Sequence, residues 1–97
     1  PYECAVIPLI NKNDNSNLEK ANNIFKYLSK KNIDTIVDDT AENFSSKIKK
    51  FNLIGIPFQI MIGKKSEGDL FEFKEIGKET KNLSIEDIAK IIINKKK

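Results

Sequence analysis

Three strand-length apolar runs, separated by two stretches of helical spacing, constrain this chain more than anything else in it. The first run is Ala5-Val6-Ile7-Pro8-Leu9-Ile10. Leu18, Ala21, Ile24, Phe25 and Leu28 then recur at the spacing of one helix face. A second run, Ile33 to Val37, ends at Asp38-Asp39. Phe44, Ile48 and Phe51 follow at i, i+4 and i+7, which predicts a second, shorter helix. Ile56 to Ile62 is the third apolar run. A β-α-β-α-β order requires a parallel sheet with right-handed crossovers and helices packed on its faces.

Local signals set the boundaries. Pro8 lacks a ladder donor and belongs near its strand's end, and Pro57 belongs at the first, tolerant position of the third strand. The polar stretch from Asn11 to Asn17 reads as a loop. Ser16 and Glu19 have capping-box spacing for the first helix. Lys30-Lys31 suit its C-terminal dipole, and Asn32 can take the left-handed cap. Ser45 is the expected cap of the second helix, and Gly55 lies past its end. Gly63 to Gly68 turns the chain. Leu70 to Ile76 partly alternates apolar with charged residues, so a half-buried fourth strand antiparallel to the third is expected. A short edge strand near Thr80–Leu83 follows. Ser84 and Asp87 then open a last helix with its apolar face at Ile85, Ile88 and Ile92, and Ala89 and Ile91 beside it. The expected fold is three-layer α/β/α around a mixed, mostly parallel five-stranded sheet.

With 97 residues there is room for one core only, so residues 1–97 are read as one domain. The chain opens without methionine and without a signal-peptide pattern, and is expected to be an excised domain or processed product. No apolar run approaches the roughly 20 residues that span a bilayer. Basic side chains, all lysine, outnumber acidic ones by 17 to 14, a net charge of +3. So mild an excess permits weak attraction to phosphates but does not require it. Cys4 is the single cysteine and there is no histidine. An intrachain disulfide, the common His/Cys zinc sites, a Ser-His-Asp triad and a histidine base are therefore excluded. Cys4 lies in an apolar run and is expected in the core, in a reducing, cytoplasmic setting.

In open parallel α/β sheets, ligands bind beyond the carboxyl ends of the strands. Those ends carry Asn11 with its loop, Asp38-Asp39-Thr40, and Gly63-Lys64-Lys65, with Lys47 early in the helix that follows. No glycine-rich phosphate loop and no C-x-x-C is present. A receiver-like metal site needs its acidic pair after the first strand, and here the pair follows the second. Two readings of Asp38-Asp39 stay open. It is a solvated strand end with one carboxylate capping a turn, or it reads a base. A guanine splayed from a single-stranded loop offers N1–H and N2–H₂ together to one carboxylate, and a lysine can donate to its O6. Lys47, Lys49 and Lys50 read as a helix's polar face or as phosphate contacts. Phe51 and Phe58 read as core.

Nearly the whole chain resembles the anticodon-binding domain of class II aminoacyl-tRNA synthetases. The residues that carry the resemblance are Pro1-Tyr2 before Val6-Ile7-Pro8-Leu9, Asp38-Asp39, Lys47, and Leu53-Ile54-Gly55-Ile56-Pro57 before an apolar strand ending at Gly63. The Leu-Ile-Gly-Ile-Pro run is the most specific and is closest to the bacterial prolyl branch. Four positions depart from the family pattern: Thr40 stands for an arginine, Ser46 for a glycine, Ile48 for an aromatic and Asn52 for an acidic residue.

The resemblance implies a mixed five-stranded sheet of the class IIa kind, and a C-terminal fragment whose catalytic domain lies elsewhere. Its partner is the anticodon loop of tRNA, and no membrane is involved. For the prolyl branch the shared anticodon bases are two guanines. Asp39 and Asp38 are then acceptors for guanine edges, Lys47 a donor to base or phosphate, and Asn11 and Lys64 flanking contacts. The domain needs no cofactor or metal and is non-catalytic and monomeric. The parent, a cytoplasmic ligase expected to be a homodimer, would use ATP and Mg²⁺ to attach an amino acid to tRNA. Alternatives are a threonyl- or glycyl-type sibling, an accessory interaction module of the same fold, or a flavodoxin-like small-ligand domain.

Overall fold

Both faces of the first strand are fully buried, and that places it at the centre of the sheet. The computed structural model describes residues 2–9, 15–39, 44–63 and 70–96. Their order is β1 (Cys4–Pro8), α1 (Ser16–Lys30), β2 (Thr35–Val37), α2 (Phe44–Ile54), β3 (Phe58–Ile62), β4 (Leu70–Glu75), β5 (Lys81–Ser84) and α3 (Ile85–Lys96). The sheet runs β2-β1-β3-β4-β5. β1 pairs in parallel with β2 and β3, β4 is antiparallel to β3, and β5 is antiparallel to β4. Among these strands β4 alone runs against the rest, so the mixed, mostly parallel sheet is as expected. No helix among the described residues is long and apolar enough to cross a membrane.

Side chains alternate across the sheet and divide the domain's core into two layers, one on each face. Cys4 and Val6 of β1, Phe58, Ile60 and Ile62 of β3, and Phe73 of β4 pack with Ala21, Ile24 and Leu28 of α1 and Ile88, Ala89 and Ile92 of α3. Phe58 and Phe73 stack across the strand pair, their centroids 5.7 Å apart. On the other face Ala5, Ile7 and Met61 meet Phe51 and Ile56, with Ile36 and Ile48 beside them. α1 and α3 thus cover one face and α2 the other. Each fully buried aliphatic side chain contributes about 1.5–3 kcal/mol of transfer free energy.

Two helix-to-strand junctions use the same device. α1 ends in a Schellman motif: Asn32 N–H donates to Ser29 O at 3.1 Å and Ile33 N–H to Leu28 O at 3.1 Å, with Asn32 at φ 62°. α2 repeats it, with Gly55 N–H to Asn52 O at 3.2 Å, Ile56 N–H to Phe51 O at 3.0 Å, and Gly55 at φ 91°. In each case the residue after the left-handed one is a buried isoleucine that shares a core with the carbonyl's owner. At the start of α3, Ser84 Oγ accepts from Asp87 N–H at 3.2 Å, the cap expected from the sequence.

Several boundaries differ from expectation. Asn15, not Ser16, is the N-cap of α1, and its side chain makes no capping hydrogen bond. Ser45 lies inside α2 rather than before it. Phe25 is 39% exposed, while Tyr27 packs against the core in its place. β2 begins at Thr35, because Ile33 is used to close the end of α1. The Gly63–Gly68 turn lies, apart from Gly63, outside the described residues.

Candidate nucleic-acid interface at the carboxyl edge

β2, β1 and β3 lie side by side and end at one edge of the sheet. The ladder continues one residue past two of them. Asp38 N–H donates to Val6 O at 2.9 Å, and Leu9 N–H to Ile62 O at 2.7 Å, past the missing donor of Pro8. Asn17 Nδ2 donates to Leu9 O at 3.0 Å and ties the first turn of α1 to the same edge.

Asp38 continues the side-chain alternation of β2 and falls, like Ile36, on the α2 face. There it meets two lysines. Lys47 Nζ donates to the Asp38 main-chain oxygen at 3.1 Å and lies 3.7 Å from its Oδ1. Lys50 Nζ donates to Asp38 Oδ2 at 2.7 Å. The side chain of Lys47 is 1% exposed and that of Asp38 4%, whereas Lys50 keeps 41%. The Lys50 ammonium also sits 5.1 Å from the centroid of the Phe51 ring. A buried ammonium is tolerable only when paired and hydrogen-bonded, and Asp38 supplies both a carboxylate and a carbonyl for that purpose.

Asp39, the next residue, is exposed. The two carboxylates therefore have different environments: one faces inward onto lysines and the other is open to solvent. A carboxylate is an acceptor only, and Asp39 has the access needed to accept two converging N–H donors. Lys49 is exposed on the outer side of α2.

Of the residues singled out in the sequence, Asp38 and Lys47 are brought into contact and Asp39 lies beside them. Asn11 and Lys64 lie outside the described residues. Lys47 was expected on a helix's polar face or as a donor to base or phosphate, whereas its side chain is buried in the stripe with Ile48 and Phe51. The i, i+4 spacing of Lys47 and Phe51 carried that information. Lys50, one turn on from Lys47, was read only as a polar-face or phosphate-contacting lysine, and its pairing with Asp38 was not foreseen. Away from this edge, Cys4 is buried as expected, and burial, with the Glu3 charge adding to it, pushes its thiol far above the usual range.

The Anticodon binding domain family model matches residues 3–95. The chain belongs to the anticodon-binding domain family. It is 62% identical, over 99% of its length, to a proline–tRNA ligase of Pelagibacter ubique, of which it covers 22%. Proline–tRNA ligases of Caldicellulosiruptor bescii and Brachyspira hyodysenteriae are each 35% identical, over 97% and 99% of this chain and 16% and 17% of their own lengths. This anticodon-binding domain thus spans about a fifth of the length of the relatives it matches.

Proposed function

We propose that this domain reads the anticodon loop of a proline tRNA as the C-terminal part of a cytoplasmic proline–tRNA ligase. The observation that carries the reading is the 62% identity, through 99% of the chain, to a protein of that name. On this reading the rest of the parent, a homodimer, activates proline with ATP and Mg²⁺ and transfers it to tRNA. The domain itself takes no cofactor and performs no chemistry.

Asp39 accepts the N1–H and N2–H₂ groups of an unstacked anticodon guanine. Its exposure at the carboxyl edge supports that role. Asn11 and Lys64, at the ends of the neighbouring strands in sequence, flank the base. Lys49 meets backbone phosphate, which positions the loop without reading it. Asp38 and Lys47 are buried against one another and take no direct RNA contact here.

The test is binding of a proline anticodon stem-loop, against one with both guanines replaced, followed by fluorescence anisotropy. The native domain should favour the first RNA. Asp39→Ala should erase most of that preference, each lost bidentate contact being worth roughly 1–3 kcal/mol. Equal affinity of the native domain for both RNAs would refute anticodon reading.

A further inference from the structure

Among the described residues, at least three separate bonds hold the end of β2. The Asp38 N–H is tied to Val6 O at 2.9 Å. Its carboxylate is tied to Lys50 at 2.7 Å. Its carbonyl is tied to Lys47 at 3.1 Å. That carbonyl belongs to the peptide group joining Asp38 to Asp39. A donor fixed on it sets the plane of that peptide, which contains the Asp39 nitrogen and Cα, and hence the point from which the Asp39 side chain leaves the backbone. Lys47 is fixed in turn, because its side chain is 1% exposed and its helix is packed on the sheet through Phe51.

Here a pair of lysines on one helix grips the last residue before an exposed carboxylate. We infer that Lys47 and Lys50 are positioning residues for anticodon reading: they clamp Asp38 so that the backbone of Asp39 is held at a fixed place on the carboxyl edge. The inference rests on the reading of Asp39 given above. Lysines that bind phosphate are solvated and add salt-dependent affinity for any RNA. A buried lysine aimed at a main-chain carbonyl cannot do that. It acts through geometry instead, and a hydrogen bond weakens steeply once its donor and acceptor are bent or stretched out of line.

The experiment measures two quantities for the 97-residue chain and its variants. One is the affinity ratio between the proline anticodon stem-loop and its guanine-replaced counterpart. The other is the slope of log affinity against log salt. A variant that merely unfolds part of the population weakens both RNAs alike and leaves the ratio intact. Loss of a phosphate contact on a single strand reduces the slope by about 0.7 and also keeps the ratio. Loss of positioning lowers the ratio and keeps the slope.

Lys47→Met, which keeps most of the side chain's length and removes its charge, should reduce the ratio roughly tenfold at unchanged slope. Asp38→Asn should do the same, and the double variant Asp38→Asn/Lys47→Met should be no worse than either single change, because all three break one clamp. Should Lys47→Met fail to fold, the part-exposed Lys50→Ala carries the test with a severalfold fall in ratio, reversed by Lys50→Arg. A native ratio that survives in the Lys47 and Lys50 variants overturns the clamp while leaving anticodon reading intact. A lowered slope at constant ratio overturns it in favour of direct phosphate contact. If the native domain shows no preference, both readings fall together.

Discussion

The two faces of the sheet are built on different principles. Under α1 and α3 the buried side chains are almost all hydrocarbon and aromatic, from Leu28 and Ile60 to Phe73 and Ile92. Under α2 the apolar cluster is small, and Lys47 and Gln59 are buried beside it at 1% exposure each, with Asp38 at 6%. Gln59 Nε2 donates to Asn52 Oδ1 at 2.8 Å, but its Oε1 is buried without a hydrogen-bond partner among the described residues. An apolar interior tolerates repacking, whereas a polar interior specifies geometry and penalises any missing partner. The face that supports the carboxyl edge is the one that carries polar groups inside. The face with no such duty is sealed with hydrocarbon.

That contrast can be broken most forcefully at Asp38. Asp38→Ala leaves two ammonium groups facing the gap, one of them buried, and should destabilise the fold by about 3–5 kcal/mol. Leu28→Ala on the opposite face should lose about 2–5 kcal/mol through transfer and cavity terms. Urea unfolding compares the totals, and RNA binding separates the mechanisms. After correction for folded fraction, Leu28→Ala should keep the native preference between RNAs and Asp38→Ala should not. Equal preference in both variants would erase the distinction between the faces.

A pH series sharpens the account of the apolar face. The Cys4 thiol is raised well above its ordinary value of 9.0, chiefly by burial. The folded state then holds its proton where the unfolded chain releases it. The corresponding stability is complete below pH 9 and is lost progressively above it, reaching about 1.4 kcal/mol by pH 10. Cys4→Ala should remove that part of the alkaline slope. The native thiol should react with alkylating reagents only as fast as the protein unfolds.

Smaller effects belong to the junctions and to Gln59. Gly55→Ala should destabilise by about 1–2 kcal/mol, from the left-handed φ of 91° alone, since nothing lies within 4 Å of an added Cβ. Gln59→Met removes an unpartnered buried acceptor and leaves Asn52, which is exposed, free to hydrogen-bond water. It should be neutral or stabilise by up to about 1 kcal/mol in thermal melts. A loss above that would mean that Gln59 is fully satisfied in solution.

The fold was largely legible because its signals are local. The continuous apolar run of β1 announced a strand buried on both faces. Asn32 and Gly55 announced the two left-handed helix ends, and Ser84 announced the cap of α3. Errors arose where the deciding partner is distant in the chain or where charge masked position. Phe25 and Ile24 both fit a helical stripe, but Ile24 is buried and Phe25 lies at the margin, 39% exposed. Ser45 is an ordinary cap residue, but the helix already begins at Phe44. Lys47 fits the apolar stripe of α2 by spacing, yet its charge suggested solvent. Its burial follows only once Asp38, nine residues earlier, is seen to meet it. Asp38 and Asp39 look equivalent in sequence, and their opposite exposures come from the strand's alternation against α2.

The most direct test of the central claim is a titration of the isotopically labelled domain with the proline anticodon stem-loop and with its guanine-replaced counterpart, read by amide chemical shifts. The account predicts perturbations concentrated at Asp38, Asp39 and Gly63 with the first RNA, absent with the second, and little change at Leu28 or Ile92. Equal, diffuse shifts at exposed lysines with both RNAs would contradict it.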